Sequence, residues 1–358
     1  MLNTDPETLA RLAFSYAPGV GPVTFHKLIS HFGSAQKAYN SHDHEITPCI
    51  PNSQTRENFI AFRKNFSAHS TISALFTNDI HYLSYSLLGE TTRVGLFPTN
   101  PIGLFLHGDA SLLTSDTPTL AIVGSRKPTQ YGIQTAELFA STLARDGAII
   151  LSGLAIGIDS HAHQSCIEAG GKTIAVLGTG HPAPTARVSL RLYRAIINSG
   201  GLVVSEYPPD TPAHKGAFPA RNRIIAGLSD GIILVEGAEH SGSRITAQHA
   251  LNIGKELFCI PGSIFSPQSH TPHDFIQQGA HLTKSVEDIY NILQIRPAPT
   301  RTPLQNELYT HIQKTTSTTQ TLIHLLGKPS EYIIHQLAQL EAQGYIFKQP
   351  DGKYSARP

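Results

Sequence analysis

Between residues 119 and 290 the sequence repeats one pattern: a short apolar run, a polar turn and a stretch with helical periodicity. The apolar runs are continuous, which indicates strands covered on both faces. Strands that alternate with helices in this way are typical of an open, doubly wound, mostly parallel α/β sheet. In such sheets ligands bind beyond the carboxyl ends of the strands, where the strand order reverses. The predicted strands are 119–123, 148–151, 173–177, 202–205, 231–235 and 256–260.

Residues 1–75 are predicted to form an N-terminal helical domain. Apolar residues recur at helical spacing before and after the turn at 18–22, and the second periodic stretch closes at Gly33. Two helices around a Gly-x-Gly turn make a helix-hairpin-helix-like (SAM-like) shape, whose exposed amides can meet a nucleic-acid phosphate. A tight turn inside a small helical bundle explains the same pattern, so both interpretations stay open.

Three further segments complete the predicted organisation. Residues 76–118 form a connecting segment with short strands that leads into the core at 119–290, and the proline-containing residues 291–302 form a linker. Residues 303–358 show three helices and a hairpin, a pattern that resembles a winged-helix module. The third helix is expected to place Ile333, Ile334, Leu337 and Leu340 on one face. Such modules bind DNA or dock proteins, and the sequence favours neither.

Charge and cysteine usage limit the class of protein. The chain has 358 residues with 27 Lys+Arg against 26 Asp+Glu, which argues against a generally basic nucleic-acid binder. Its three cysteines are far apart and form no Cys-x-x-Cys pair, so a disulfide framework is not expected. The amino terminus is acidic where a signal peptide would be basic, and no apolar run is long enough to span a membrane. We expect a cytoplasmic protein with no membrane association.

The turns after the first two strands have features of anion sites. Residues 124–126, Gly-Ser-Arg, combine a sharp turn, a helix start and an arginine that can hold a phosphate through two parallel hydrogen bonds. The second turn runs from Gly153 to Gly157 and into Asp159, which is interpreted as a helix cap or a buried partner that orients the loop. A dinucleotide site would need a Gly-x-Gly-x-x-Gly turn here and an acidic residue after the second strand, and neither is present.

The segment at 214–223 combines basic residues with an aromatic ring. Phosphates favour Lys and Arg, and an unpaired base favours an aromatic face, so this mixture is typical of a single-stranded nucleic-acid site. A solvated helix end is the alternative. The turn at 241–243, Ser-Gly-Ser, opens a helix and supplies a further anion-binding nest. The residues concerned in the basic segment are Lys215, Phe218, Arg221, Asn222 and Arg223.

Several other motifs are excluded by their context. Gly171-Lys172-Thr173 imitates the end of a Walker A loop but leads into a strand, and 227–231 matches Gly-x-Ser-x-Gly but precedes a strand. His161 and His163 are two apart and cannot share a metal without a third element. The segment containing His270, His273 and Asp274 is interpreted as a surface loop.

Taken in order, these motifs resemble the DprA/Smf family, DNA-processing protein A. The resemblance is dense over 119–283, and the flanking parts fit the family's usual arrangement. Three departures stand out: residues 181–186 replace the family's usual loop, Arg244 replaces a leucine after Ser-Gly-Ser, and His273-Asp274 stands where the family commonly has a Gly-x-Asn-like turn. The matching stretches are 124–126 with 131–132, 152–159 with 162–163, 173–178, 205–208, 218–229, 241–247 and 261–263.

The resemblance implies a Rossmann-like core that binds single-stranded DNA without catalysing a reaction, needs no cofactor or metal, forms a homodimer and loads the RecA recombinase onto incoming DNA during natural transformation. By position, Arg126, Lys215, Arg221 and Arg223 would hold phosphates, Phe218 would lie against a base, and Arg187 would replace a family lysine. The residues expected to line the pocket are Ser125, Gly153, Gly157, Asn222, Ser241, Gly242 and Ser243.

An enzyme acting on a nucleotide is the alternative. Rossmann-like nucleotide phosphoribohydrolases also place a glycine-rich nest at a helix start, and they need a carboxylate at the glycosidic bond. Glu206 or Glu236 could supply it, although the Pro-Gly-Gly-x-Gly-Thr loop of those enzymes is missing. A scaffold that acts through protein contacts alone is the third interpretation.

Overall fold

A computed structural model describes residues 5–88, 97–181, 187–214, 216–295, 303–342, 345–349 and 351–356. The chain divides into two compact units, Met1–Ala298 and Pro299–Pro358. Within the described residues, no helix is long and apolar enough to cross a membrane.

The first unit begins with the predicted helical region. Asp5 accepts hydrogen bonds from the N–H groups of Glu7 and Thr8, both at 3.0 Å, and so caps the first helix. Gly33 ends the second helix in the left-handed region, with φ +83°. The helices are α1 (Pro6–Tyr16), α2 (Pro22–Phe32), α3 (Ala35–Asn40), α4 (Ser53–Asn65) and α5 (Ala68–Thr77).

A central sheet follows, and its mostly parallel α/β character confirms the fold class. Its strands among the described residues are β1 (Ile80–Ser84), β2 (Gly103–Gly108), β3 (Thr119–Val123), β4 (Ile149–Ser152), β5 (Thr173–Leu177), β6 (Leu202–Ser205), β7 (Gly231–Leu234), β8 (Glu256–Cys259) and β9 (His281–Leu282). These nine described strands lie in the order β1-β2-β6-β5-β4-β3-β7-β8-β9. All neighbours are parallel except β1 with β2 and β2 with β6.

Helices cover both faces of this sheet. The helices are α6 (Tyr85–Leu88), α7 (Gln130–Arg145), α8 (Ile158–Glu168), α9 (Arg187–Asn198), α10 (Ala217–Leu228), α11 (Gly242–Asn252), α12 (His270–Gln277) and α13 (Val286–Leu293). Alternate residues of each strand point to opposite faces: Leu120 and Ile122 pack with α7 and α8, whereas Ala121 and Val123 pack with α10 and α11.

Three details differ from the sequence predictions. The short strands of the connecting segment are β1 and β2, and they extend the core sheet in the antiparallel sense. The residues interpreted as a surface loop, His270 to Asp274, begin α12, because Phe275 buries its ring against the core. The segment predicted as a linker, 291–302, overlaps the end of α13, and its residues 296–302 lie outside the described residues.

The described residues of the second unit form three helices and a two-stranded antiparallel ribbon. Its core includes Ile333, Leu337 and Leu340 of one helix face, but Ile334 is 54% exposed, so the expectation that it shares this face was wrong. The winged-helix interpretation of this unit stays a prediction. The elements are α14 (Pro303–Lys314), α15 (Thr319–Leu326), α16 (Ser330–Ala342), β10 (Ile346–Lys348) and β11 (Tyr354–Ala356).

Candidate nucleic-acid interface

The strand order reverses between β3 and β7, and a cavity of about 860 Å³ opens at their carboxyl ends. This is where doubly wound sheets bind ligands. We call it the switch-point cavity. Its walls are the turn after β3, the start of α10 and the turn that opens α11. The predicted site residues that line it are Ser125, Arg126, Phe218, Arg221, Asn222, Ser241, Gly242 and Ser243.

Arg126 and Phe218 face each other at this cavity. The guanidinium carbon of Arg126 is 5.3 Å from the centre of the Phe218 ring, in a cation–π contact. Arg126 is exposed and Phe218 is half-buried. The ring lies against Gly178 at the end of β5, where a Cβ atom would come within 2.7 Å of it. A positive charge and an aromatic surface are therefore both presented to the cavity.

Ser125 and Gly157 fix the conformation of the turn that contains Arg126. The buried Ser125 hydroxyl accepts a hydrogen bond from the N–H of Lys127 at 3.0 Å. Gly157 has φ +89°, and a Cβ there would lie 2.4 Å from the Ser125 carbonyl oxygen. Only glycine permits this approach. Gly157 does not line the cavity. The close approach of its backbone to Ser125, and not contact with a ligand, therefore explains why this residue is glycine.

Arg221 lies in the floor of the cavity and is 4% exposed. Its Nη1 donates to the carbonyl oxygens of Gly153, at 2.6 Å, and Val176. Gly153 has to be small, because a Cβ would meet the guanidinium at 2.6 Å. Burial lowers the pKa of Arg221 to about 10, and Asp159 opposes this shift. The guanidinium of Arg221, which was expected to hold a phosphate, is thus directed into the protein. Gly153, which was expected to line the pocket, lies outside the cavity lining.

Two roles were expected for Asp159, a helix cap or a buried partner that orients the loop, and its position agrees with the second. It accepts a hydrogen bond from the N–H of Gly153 at 3.1 Å. Burial raises the pKa of Asp159, while the charge of Arg221 and the hydrogen bond from Gly153 lower it. The pair holds the turn after β4 in place.

Arg223 is also in the interior and does not line the cavity. Its Nη2 is 2.5 Å from Glu206, and both side chains are about nine-tenths buried. Arg223 was expected to hold a phosphate, but in this position its charge is offset by Glu206. In sequence the two arginines look like part of a basic cluster, but their acidic partners come from distant segments.

Asn222 connects α10 to the Ser-Gly-Ser turn. Its Nδ2 donates to the carbonyl oxygen of Gly242 at 3.2 Å, and its Oδ1 accepts from Nε of Arg221. Ser241 caps α11 by accepting from the N–H of Ser243 at 3.3 Å. Because all three residues of this turn line the cavity, the positive end of the α11 dipole lies at its wall.

Two predicted cations, Lys215 and Arg187, have side chains outside the described part of the chain. Lys215 lies outside the described residues, although its neighbours His214 and Gly216 line the cavity. Arg187 is the first residue of α9, and its side chain lies outside the described part of the chain. Gln268, which was not among the predicted site residues, also lines the cavity, from the segment after β8. It stands in a Ser-Pro-Gln context with no motif that marks a site.

The carboxylates proposed for the enzyme alternative are both engaged. Glu236 is 3% exposed and accepts from the N–H and the hydroxyl of Thr129, at 2.8 and 2.6 Å, at the start of α7. Glu206 is paired with Arg223. Neither lines the cavity, so the alternative of a nucleotide hydrolase is not favoured. No cluster of His, Cys, Asp and Glu that could hold a metal occurs among the described residues.

Fold and site together define a class: doubly wound α/β proteins with an arginine, an aromatic ring and a helix amino terminus around a switch-point cavity. The family model described as DNA recombination-mediator protein A matches residues 88–294, and the model described as the DprA-like N-terminal HHH domain matches 5–41. The chain belongs to the DNA recombination-mediator protein A family, the DprA/Smf family that the motifs indicated.

Relatives support this assignment over most of the chain. Protein Smf of Escherichia coli is 39% identical over 267 residues, which is 70% of this chain and 71% of that protein. DNA processing protein DprA of Bacillus subtilis is 44% identical over 196 residues, which is 55% of this chain and 65% of that protein.

Solved structures agree with the fold. The crystal structure of DNA processing protein A from Streptococcus pneumoniae has a TM-score of 0.67 at 31% identity, covering 83% of this chain and all of that one. A structure of DNA processing protein A from Helicobacter pylori, described for its single-stranded DNA binding mode, has a TM-score of 0.53 at 29% identity and covers 60% of this chain and 95% of that one.

Proposed function

We propose that this protein binds single-stranded DNA in the switch-point cavity, protects it and loads the RecA recombinase onto it during DNA uptake. The observation that carries the proposal is the position of Arg126 over Phe218 at a cavity of about 860 Å³. A single strand needs a positive group for its phosphates and an aromatic face for its bases, and both are present. Family membership and the Helicobacter pylori structure add support.

Each wall of the cavity has a role in this proposal. A phosphate binds Arg126 and draws the guanidinium away from Phe218, so that a base stacks on the ring. The amides at the start of α11 receive a second phosphate. Lys215 and Arg187 supply further positive charge. Arg221 and Arg223, which are buried, act as positioning residues that hold the floor and the turn after β4.

The proposed activity is binding without catalysis, with no cofactor. The carboxylates considered for an enzyme, Glu206 and Glu236, have protein partners and lie outside the cavity lining. A strand that enters the cavity meets donors, an aromatic surface and two acidic residues, Asp159 and Glu239. Asp159 is buried and bound to Gly153, whereas Glu239 is exposed.

The proposal also covers the location of the protein, its oligomeric state and the role of residues 303–358. We assign the protein to the cytoplasm, where RecA and incoming DNA meet, and we propose that it works as a homodimer. Residues 303–358 would form a winged-helix-like module that docks DNA or protein. Sedimentation of the purified chain tests the dimer, and a single mass equal to that of one chain at micromolar concentration would contradict it.

The test of the function is a binding titration with labelled oligothymidylate and a duplex of the same length at two salt concentrations. We expect tighter binding of the single strand and weaker binding at higher salt, because released counterions drive association. Equal affinity for both ligands would contradict the proposal. Loading is tested by RecA ATP hydrolysis on DNA coated with single-strand binding protein, which this protein should accelerate.

A further inference from the structure

Helix α9 carries two arginines on its solvent-facing side. Arg191 and Arg194 are both exposed, and neither guanidinium has a hydrogen-bond or ion-pair partner within the described part of the chain. The opposite side of the helix is buried through Leu192, Tyr193 and Ile196. Residues three apart on a helix are neighbours on its surface, so the two charges lie side by side.

The chain around these arginines lacks acidic residues. From residue 169 to residue 205 there is no Asp or Glu, and the cations are Lys172, Arg187, Arg191 and Arg194. Lys172 donates to the carbonyl oxygen of Ser199 at 2.7 Å. A buried carboxylate offsets the charge of Arg221 and that of Arg223, but among the described residues no such partner faces the exposed pair on α9.

A groove of about 410 Å³ runs along the same side of the helix. It is lined by Leu190, Arg191, Arg194, Ala195 and Asn198, which recur at the three- and four-residue spacing of one helix face. A shallow groove with two exposed guanidinium groups suits an extended polyanion better than a compact anion, because its charges follow the helix axis.

Helix α9 packs at the same end of β5 as Phe218. Leu177, the last residue of β5, shares a hydrophobic cluster with Leu192 of α9, and Phe218 lies against the next residue, Gly178. A helix rises about 1.5 Å per residue, so Arg191 and Arg194 lie within about 3 Å of Leu192 along the helix axis. A strand that leaves the ring of Phe218 over the end of β5 therefore meets α9 within a few nucleotides.

We propose that Arg191 and Arg194 bind backbone phosphates of the single strand as it leaves the switch-point cavity. This second contact rests on the proposed function. It involves phosphates and not bases, so it adds affinity without sequence preference. It also makes affinity depend on length, because a strand short enough to fit the cavity does not reach α9.

The test compares R191E, R194E and the double variant with wild type, using oligothymidylates of about 6 and about 20 nucleotides. We expect the double variant to bind the longer strand roughly tenfold more weakly, and its log–log salt slope to be less steep by about 1.4, or about 0.7 for each phosphate contact. Its affinity for the shorter strand should stay within about twofold of wild type. R145E, the same charge change at an exposed site of α7, is the matched control.

The outcomes separate the two proposals. Unchanged binding of the longer strand by the double variant overturns the α9 contact and leaves the cavity intact. An equal loss for both lengths also overturns it, because α9 would then belong to the cavity itself. If wild type binds neither strand, the proposed function fails, and the α9 contact fails with it. A thermal melt of each variant checks that the fold is retained.

Discussion

The guanidinium of Arg126 lies over the ring of Phe218, 5.3 Å from its centre, although the two residues come from different turns of the sheet. At an exposed site such a contact is worth about 0.5–1 kcal/mol. A hydrogen bond from a charged group to phosphate contributes more, about 1.5–3 kcal/mol. A bound strand can therefore displace the contact and use both groups separately.

Phe218→Ala tests the aromatic surface. We expect the free energy of oligothymidylate binding to become less favourable by about 1–3 kcal/mol, because a stacked base is lost. The salt dependence should not change, since no charge is removed. Fluorescence anisotropy measures both quantities. Phe265→Ala, at a phenylalanine that is 90% exposed and outside the cavity lining, is the matched control. An equal effect of both substitutions would contradict a specific stacking role.

Two substitutions of Arg126 separate the contribution of its charge from that of its paired hydrogen bonds. Arg126→Ala should weaken binding and reduce the log–log salt slope by about 0.7. Arg126→Lys keeps the charge but loses the two parallel hydrogen bonds, so affinity should fall while the slope stays near that of wild type. The measurement is a set of titrations between about 50 and 200 mM salt. Identical slopes for the alanine and lysine variants would mean that Arg126 does not neutralise a phosphate.

Substitution of Arg221 should lower the free energy of unfolding, and it should weaken DNA binding only as a consequence of that loss. Arg221→Met leaves Asp159 buried without its positive partner, and removal of one member of a buried pair costs about 3–5 kcal/mol. Urea unfolding measures this loss, and the double variant with Asp159→Asn should recover part of it. Arg145→Met, at an exposed arginine, should change the free energy of unfolding by less than about 0.5 kcal/mol. If Arg221→Met unfolds like wild type and only binds DNA less tightly, Arg221 contacts the strand directly.

Two buried histidines predict how stability depends on pH. Burial lowers the pKa of His163 to about 3 and that of His181 to about 4, below the ordinary value of 6.5. The unfolded chain binds these protons more readily, so their contribution to stability is complete above about pH 6.5 and decreases as the pH falls towards the folded-state values. Each histidine contributes a slope of up to about 1.4 kcal/mol per pH unit.

The measurement is the free energy of unfolding at several values between about pH 7 and pH 5. His181 bonds through Nε2 to the carbonyl oxygen of Phe105, at 3.0 Å, and through Nδ1 to the hydroxyl of Tyr193, at 2.9 Å. His181→Gln keeps a donor for that carbonyl but cannot titrate, so its pH slope should be smaller. A slope equal to that of wild type would contradict the assignment.

The sequence predicted the sheet well because its strands are short, apolar and separated by clear turns. All six predicted strands are present within one residue of their expected bounds, from Thr119–Val123 to Glu256–Cys259. It did not predict that β1 and β2 join the same sheet, since local pattern carries no information on the pairing partner of a strand. The two-residue strand β9 is too short to give a periodic signal.

The role of a site residue could be predicted where it depends only on the turn that contains the residue. Arg126, Phe218 and the Ser-Gly-Ser turn line one cavity, as their positions after successive strands suggested. Arg221 and Arg223 are different, because their burial depends on Asp159 and Glu206, which are distant in sequence. A basic residue in a cluster looks the same whether its charge is exposed or offset, and only the tertiary structure separates the two cases.

Photo-crosslinking measures directly where the single strand binds. Oligothymidylate carrying a photoreactive base is crosslinked to the protein, and the modified peptides are located by mass spectrometry. We predict crosslinks in the peptide that contains Phe218 and in the peptide that contains Ser241–Ser243. Crosslinks confined to residues 5–41 or 303–356 would contradict binding in the switch-point cavity.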